Sequence, residues 1–264
     1  MTAVSAPARE HVGSPTERVE DAALLVGRGR FMDDIDPLPG TLEAAIVRSP
    51  HPHARIVGFD ASRALDAPGV RCVVGPEQTA QLKPFPLTLR APMPYRPAAT
   101  DTVRYVGEPV AVVVATSRHL AEDAAELVEV EYEPLQPVVD VRDAMRTDAP
   151  LLHAESETNV ATDRELAFGA VEDAFARAHE VVEGEFSFPR YSSTPIETYG
   201  VVAHWAHDGT GERLTAWCNF HGPFTMHPVI AGALGLTPAR VRLIVPEDIG
   251  GSFGISRRSM PMWR

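Results

Sequence analysis

The chain has 264 residues, 44% of them apolar, and a formal charge of −12 at pH 7. Those values describe an ordinary folded protein of two domains or one large one, not a disordered segment. The acidic balance argues against a nucleic-acid surface or an anionic membrane as partner. Cys72 and Cys218 are the two cysteines, too few for an iron–sulfur centre held by this chain alone. The first ten residues lack the apolar core of a secretory signal, and no run approaches a membrane span, so the expected location is cytoplasmic. Lys83 is the sole lysine, most simply a genome-composition bias.

Residues 1–17 are small and polar and read as a flexible N-terminus. Residues 41–48 (TLEAAIVR) and 55–60 (RIVGFD) read as strands, with a turn at Ser49-Pro-His-Pro-His53 between them. Asp60 is placed to cap a short helix through Ala64 and Leu65, ended by Pro68-Gly69. Residues 70–74 form the next strand. Five prolines from Pro84 through Pro97 exclude regular helix or a central strand and predict a long ordered loop. Residues 110–115 (VAVVVA) are apolar throughout, the pattern of a strand buried on both faces. Ser117 then starts a helix with Leu120, Ala124 and Leu127 on one face, followed by a strand at 128–132.

Residues 138–165 show no strong periodicity and read as an inter-domain linker. Beyond it, 171–178 predicts a short helix, and 181–188, 199–205 and 214–218 predict strands. The last two are joined through Asp208-Gly-Thr-Gly211. Residues 225–234 predict a helix, with Pro228 tolerated as in a first turn.

The final strand, from Val241, opens into Gly250-Gly-Ser-Phe-Gly254. A glycine-rich turn after a strand is where α/β proteins bring backbone amides close to a ligand. A plain structural turn carries about equal weight on the motif alone. No lysine follows, so this is not a phosphate loop of the GxxxxGK type. With no strand–loop–helix unit after it, a stand-alone nucleotide-binding protein is a weak reading. His51 and His53 flank Pro52, but two histidines alone do not make a metal site, and no metal-ligating set is assigned. Glu122, Asp123, Glu126 and Glu129 read as a solvated face.

Several segments, in order, resemble the large subunit of the xanthine dehydrogenase, aldehyde oxidase and aerobic carbon monoxide dehydrogenase family. Arg18-Val-Glu-Asp21 with Leu24-Leu-Val-Gly-Arg-Gly-Arg-Phe31 is similar to the entry segment. Arg48-Ser-Pro-His-Pro-His-Ala-Arg-Ile56, Val103-Arg-Tyr-Val-Gly-Glu-Pro-Val-Ala111 and Val130-Glu-Tyr-Glu-Pro-Leu135 are similar to the α/β hammerhead domain. Pro195-Ile-Glu-Thr-Tyr-Gly-Val-Val-Ala203, Trp217-Cys-Asn-Phe-His-Gly-Pro-Phe224 and Gly250-Gly-Ser-Phe-Gly254 resemble the opening of the first molybdopterin-binding domain.

The fold class the resemblance implies is α+β. A hammerhead domain at 18–137 and the linker at 138–165 would precede an incomplete mixed α/β molybdopterin-binding domain at 166–264. The activity implied is two-electron hydroxylation at a molybdenum–molybdopterin cofactor, with oxygen taken from water. Gly250, Gly251, Phe253 and Gly254 would face that cofactor.

His221 stands where the family has a glutamine whose amide approaches an oxygen ligand of the metal. Imidazole also donates a hydrogen bond, but with different reach and a titratable charge. It is the one catalytic candidate, with a tuned site, a broken copy and an ordinary partly buried histidine all open. Glu197 matches a family carboxylate and reads as structural. Ser256 stands where close relatives have lysine.

The family's general base lies near the far end of the subunit and has no counterpart here. The expectation is therefore a component inactive alone. A second large-subunit chain would complete the molybdopterin site, and separate iron–sulfur and FAD subunits would accept electrons, with neither of those centres on this chain. The alternative is a truncated, inactive fragment acting at most as an interaction module.

Overall fold

The structure is a computed structural model that describes residues 13–36, 38–85, 93–188, 194–207, 209–220 and 222–252. A first turn of helix, α1 (Asp21–Leu24), and a 3-10 turn at Met32–Asp34 precede the sheets. Strands β1 (Glu43–Arg48) and β2 (Ala54–Asp60) follow, then α2 (Ser62–Leu65), β3 (Val70–Val74), α3 (Pro76–Thr79) and β4 (Thr102–Val103). The first half ends with β5 (Pro109–Ala115), α4 (Arg118–Ala125) and β6 (Glu129–Pro134).

Two antiparallel three-stranded sheets organise this half, in the orders β1-β5-β3 and β4-β2-β6. The apolar run of β5 takes the central place in its sheet, and Val110, Ala111, Val113 and Ala115 are all fully buried. A strand paired on both edges and packed on both faces tolerates few polar side chains, which explains its uninterrupted sequence. Helix α4 lays Ala124 into the cluster with Val113 and Ala64, and Ser117 Oγ accepts from the Leu120 amide at its start. The second sheet closes over Ala54, Ala99, Val103 and Val110. Asp60 Oδ1 accepts from the Ser62 amide at 2.8 Å, one residue beyond the helix start that the sequence suggested for it.

The second half holds α5 (Val141–Ala144), α6 (Val171–Ala176), β7 (Val201–His207), β8 (Glu212–Cys218), α7 (Pro223–Leu234), a 3-10 turn at Pro238–Arg240 and β9 (Val241–Ile244). Strands β7 and β8 pair antiparallel in full register, and β9 joins β8 in parallel. Helix α7 is the crossover that a parallel pair requires. It packs Ala231 against Leu214 and Val241, and a glycine in the left-handed conformation, Gly235, ends it.

Two expectations need correction. Residues 181–188 form no strand: among the described residues, none of the amides and carbonyls of 181–187 joins a ladder. Pro228 sits well inside α7, and Pro223 takes the first-turn position. Residues 138–165 include α5, capped by Asp140 Oδ1 accepting from the Arg142 and Asp143 amides at 2.7 and 3.3 Å. Within the proline-rich stretch, residues 86–92 lie outside the described residues. The flanks meet where the Phe85 amide donates to the Tyr95 carbonyl at 2.8 Å.

Candidate functional site at the glycine turn

The chain leaves β9 and runs through Pro246 and Asp248 to the turn at Gly250. Here Glu197 acts as a two-armed brace. One carboxylate oxygen accepts from the Gly250 amide at 2.6 Å and the other from the Met32 amide at 3.0 Å. The Glu197 amide in turn donates to the Gly250 carbonyl at 3.4 Å. Hydrogen bonds to an ionised carboxylate are roughly twice as strong as neutral ones, so the brace fixes three separated segments at one point.

The entry segment is pinned a second time beside it. The Arg30 amide donates to Asp248 Oδ2 at 2.8 Å, and the Asp248 amide to the Arg30 carbonyl at 3.1 Å.

This packing gives Gly250 a reason of its own. A β-carbon there would stand 2.4 Å from Glu197 Cβ, far inside contact distance. The Gly250 amide is likewise committed to Glu197. Gly251 differs: its φ of +106° is a conformation that side chains disfavour. Gly200 is required in the same way as Gly250, since an added β-carbon would meet Met32 Cγ at 2.5 Å.

Asn219 joins the remaining segment to this group. Its Nδ2 donates to the Thr198 carbonyl at 2.8 Å and its Oδ1 accepts from the Gly200 amide at 3.1 Å. The end of β8 is thereby tied to the residues after Glu197, and the Tyr199 and Phe220 rings meet at 4.9 Å between centroids. Burial pushes both the Tyr199 phenol and the Cys218 thiol above their usual range, so both stay protonated at neutral pH.

Ser252 is 5% exposed, and its Oγ finds no hydrogen-bond partner among the described residues. A buried hydroxyl without a partner forfeits a water hydrogen bond with nothing in return, so such a group calls for an explanation.

Gly250 and Gly251 thus lie at one place with Glu197, whereas His221, Phe253 and Gly254 lie outside the described residues. His51 and His53 are elsewhere, in the first half: the His51 ring packs tilted against Tyr132, 4.9 Å between centroids, and His53 Nδ1 bonds the Gln136 carbonyl at 2.8 Å. Among the described residues no group of three or more His, Cys, Asp or Glu gathers as a metal site. An open cleft of about 1020 Å³ lies between α5 and residues 155–163, with none of the glycine-turn residues in its walls. Sequence reasoning missed Asn219 and Ser252. The signal available for each was a lone polar residue in an apolar or glycine-rich setting.

Comparison with known proteins gives this arrangement a family. Residues 26–136 match the model described as "Aldehyde oxidase and xanthine dehydrogenase, a/b hammerhead domain", and residues 152–263 match "Molybdopterin cofactor-binding domain". The chain belongs to the xanthine dehydrogenase and aldehyde oxidase family.

It is 36% identical to the nicotine 6-hydroxylase large subunit of Paenarthrobacter nicotinovorans, over 96% of this chain and 31% of that protein. It is 37% identical to the carbon monoxide dehydrogenase large chain of Afipia carboxidovorans, over 92% of this chain and 31% of that one. Among solved structures, quinoline 2-oxidoreductase from Pseudomonas putida 86 superposes with a TM-score of 0.78 at 36% identity, covering 91% of this chain and 31% of that one. The chain therefore spans about a third of the length of these molybdenum hydroxylase large subunits. The fold is α+β, a hammerhead followed by part of a molybdopterin-binding domain. No helix among the described residues is long and apolar enough to cross a membrane.

Proposed function

We propose that this chain is the first part of a molybdenum hydroxylase large subunit and forms one wall of its molybdopterin site. The observation that carries the reading is the buried Ser252 hydroxyl, without a hydrogen-bond partner among the described residues, in a turn braced by Glu197. The residues fit the cofactor: Ser252 offers a buried donor with no partner among the described residues, and Gly251 beside it has a positive φ. When bound, the cofactor supplies two-electron hydroxylation, and the protein's share is positioning and electrostatics.

In this reading Glu197 sets the height of the turn, and its carboxylate takes no part in proton transfer because both oxygens already accept amides. Gly251, Phe253 and Gly254 face the cofactor, and Gly250 contributes by its fit against Glu197. His221, at the position of the family's glutamine, is the catalytic candidate of this reading. The general base and most of the cofactor cradle come from the remaining two thirds of a large subunit, here a partner chain. Iron–sulfur and FAD subunits take the electrons, in a cytoplasmic complex. The chain by itself does not turn over.

The test is to purify the tagged chain from its own host, identify co-purifying polypeptides by mass spectrometry and assay molybdenum in the same fraction. A second large-subunit polypeptide with stoichiometric molybdenum is expected. A chain recovered alone and metal-free would instead establish the inactive fragment.

A further inference from the structure

Strands β7 and β8 pair in register as far as Val201 opposite Cys218. The next rung would set Gly200 opposite Asn219, and there a side chain takes the place of main chain. Asn219 Nδ2 donates to the Thr198 carbonyl at 2.8 Å, and Oδ1 accepts from the Gly200 amide at 3.1 Å. Asn219 is 4% exposed, so both bonds are made away from water. An amide side chain carries a donor and an acceptor on separate atoms. Aspartate accepts only, and an apolar residue would leave two buried backbone groups unmatched.

This rung is also where β8 leaves the sheet. Past Asn219 the main chain bends through Phe220 to Gly222, whose φ of +97° starts α7. His221 is the residue between them.

On its other side Asn219 grips the segment 197–200. Glu197 at one end of that segment holds the Gly250 and Met32 amides. Gly200 at the other end is packed so closely on Met32 that no β-carbon fits. A continuous path of hydrogen bonds and backbone therefore runs from the bend, through Asn219, Thr198 and Glu197, to the glycine turn.

We propose that Asn219 is a positioning residue of the molybdopterin site, fixing the spacing between the bend at 220–222 and the turn at Gly250–Ser252. It acts through Thr198, Gly200 and Glu197. The inference rests on the molybdopterin reading above and names a residue on which the geometry of that site depends. Loss of Asn219 lets the two walls move relative to each other. Loss of core packing beneath α7 weakens the same sheet without altering that spacing.

Two amides report on the path. Ile249-Gly250 and Tyr199-Gly200 are each unique dipeptides in the sequence. A carbon-13 carbonyl label in isoleucine or tyrosine, combined with nitrogen-15 glycine, therefore isolates each amide signal in the full chain. The Gly250 proton, bonded to a carboxylate, should resonate downfield. The variants are Asn219→Ala and the isosteric Asn219→Asp, which keeps the shape of the side chain should alanine prevent folding. Leu214→Ala, in the apolar cluster beneath α7, is the control for lost packing. The same tagged chains are purified from their host and assayed for molybdenum per chain.

Both Asn219 variants should shift the Gly200 and Gly250 signals, Gly250 upfield, and lose molybdenum. Leu214→Ala should lower the melting temperature while leaving the Gly250 signal and the molybdenum in place. A Gly250 signal that stays fixed while Gly200 moves overturns the positioning role, as does an equal shift in Leu214→Ala. Shifted signals with the native molybdenum content also overturn it, and leave the molybdopterin reading intact. A native chain recovered without molybdenum overturns that reading and this one together.

Discussion

Strands β5 and β7 are each seven residues long, and both are predominantly apolar. In β5 the side chains of Val110 and Val113 are wholly buried, whereas in β7 Val201 and Trp205 stand about half exposed. The difference is one of place. Strand β5 has a neighbour on each edge and α4 against its face, so the hammerhead closes its core with its own residues. Strand β7 is an edge strand of a sheet whose helix α7 packs against β8 and β9. One half closes its core with its own side chains; the other, among the described residues, has a face and a strand-like segment without cover. Hydrophobic sequence alone therefore reports that a residue needs burial, and does not say whether this chain provides it.

Four predictions would break or sharpen that contrast. The largest effect is expected at the brace. Glu197→Ala strips the acceptor from the Met32 and Gly250 amides and should destabilise the docking of the entry segment by about 3 kcal/mol. Faster hydrogen exchange at both amides is the readout, and Glu197→Gln, which keeps an oxygen, should lose less. Val113→Ala comes next, at about 2 kcal/mol by urea unfolding of the hammerhead, because the packed site leaves a cavity. An equal loss on truncating half-exposed Val201 would abolish the contrast between the two halves.

Asp140→Ala should cost about 1 kcal/mol, read as faster exchange at the Arg142 and Asp143 amides that it caps. The smallest effect concerns pH. Burial first, then the nearby Arg104 charge, holds His153 below its usual value near 6.5. The unfolded state then binds the proton more readily, so this contribution is complete above about pH 6.5 and is lost as pH falls toward the lower folded value. The urea midpoint should drop between pH 7.5 and 5.5 in the native chain and change less in His153→Gln.

Much of the first half was legible because its elements follow local rules. The unbroken apolar run of β5 and the Ser117 cap of α4 each carry their own signal. At the site, the glycine turn and Glu197 were visible as motifs, but their partnership was not, since the two positions are 53 residues apart. Nothing in the sequence of Gly250 distinguishes a glycine needed for a ligand from one needed for a neighbouring carboxylate. The strand expected at 181–188 failed for the complementary reason. Alternation specifies which side chains share a face, while the ladder depends on a partner that local sequence does not encode.

The pinning of Arg30 and Met32 onto Asp248 and Glu197 has a practical consequence for anyone recombining such subunits. A crossover placed at the linker would pair one parent's Met32 with the other's Gly200, and any bulkier residue at either position would jam the joint. Chimeras should therefore inherit residues 28–34 from whichever parent donates 194–252, even though the hammerhead separates them along the chain.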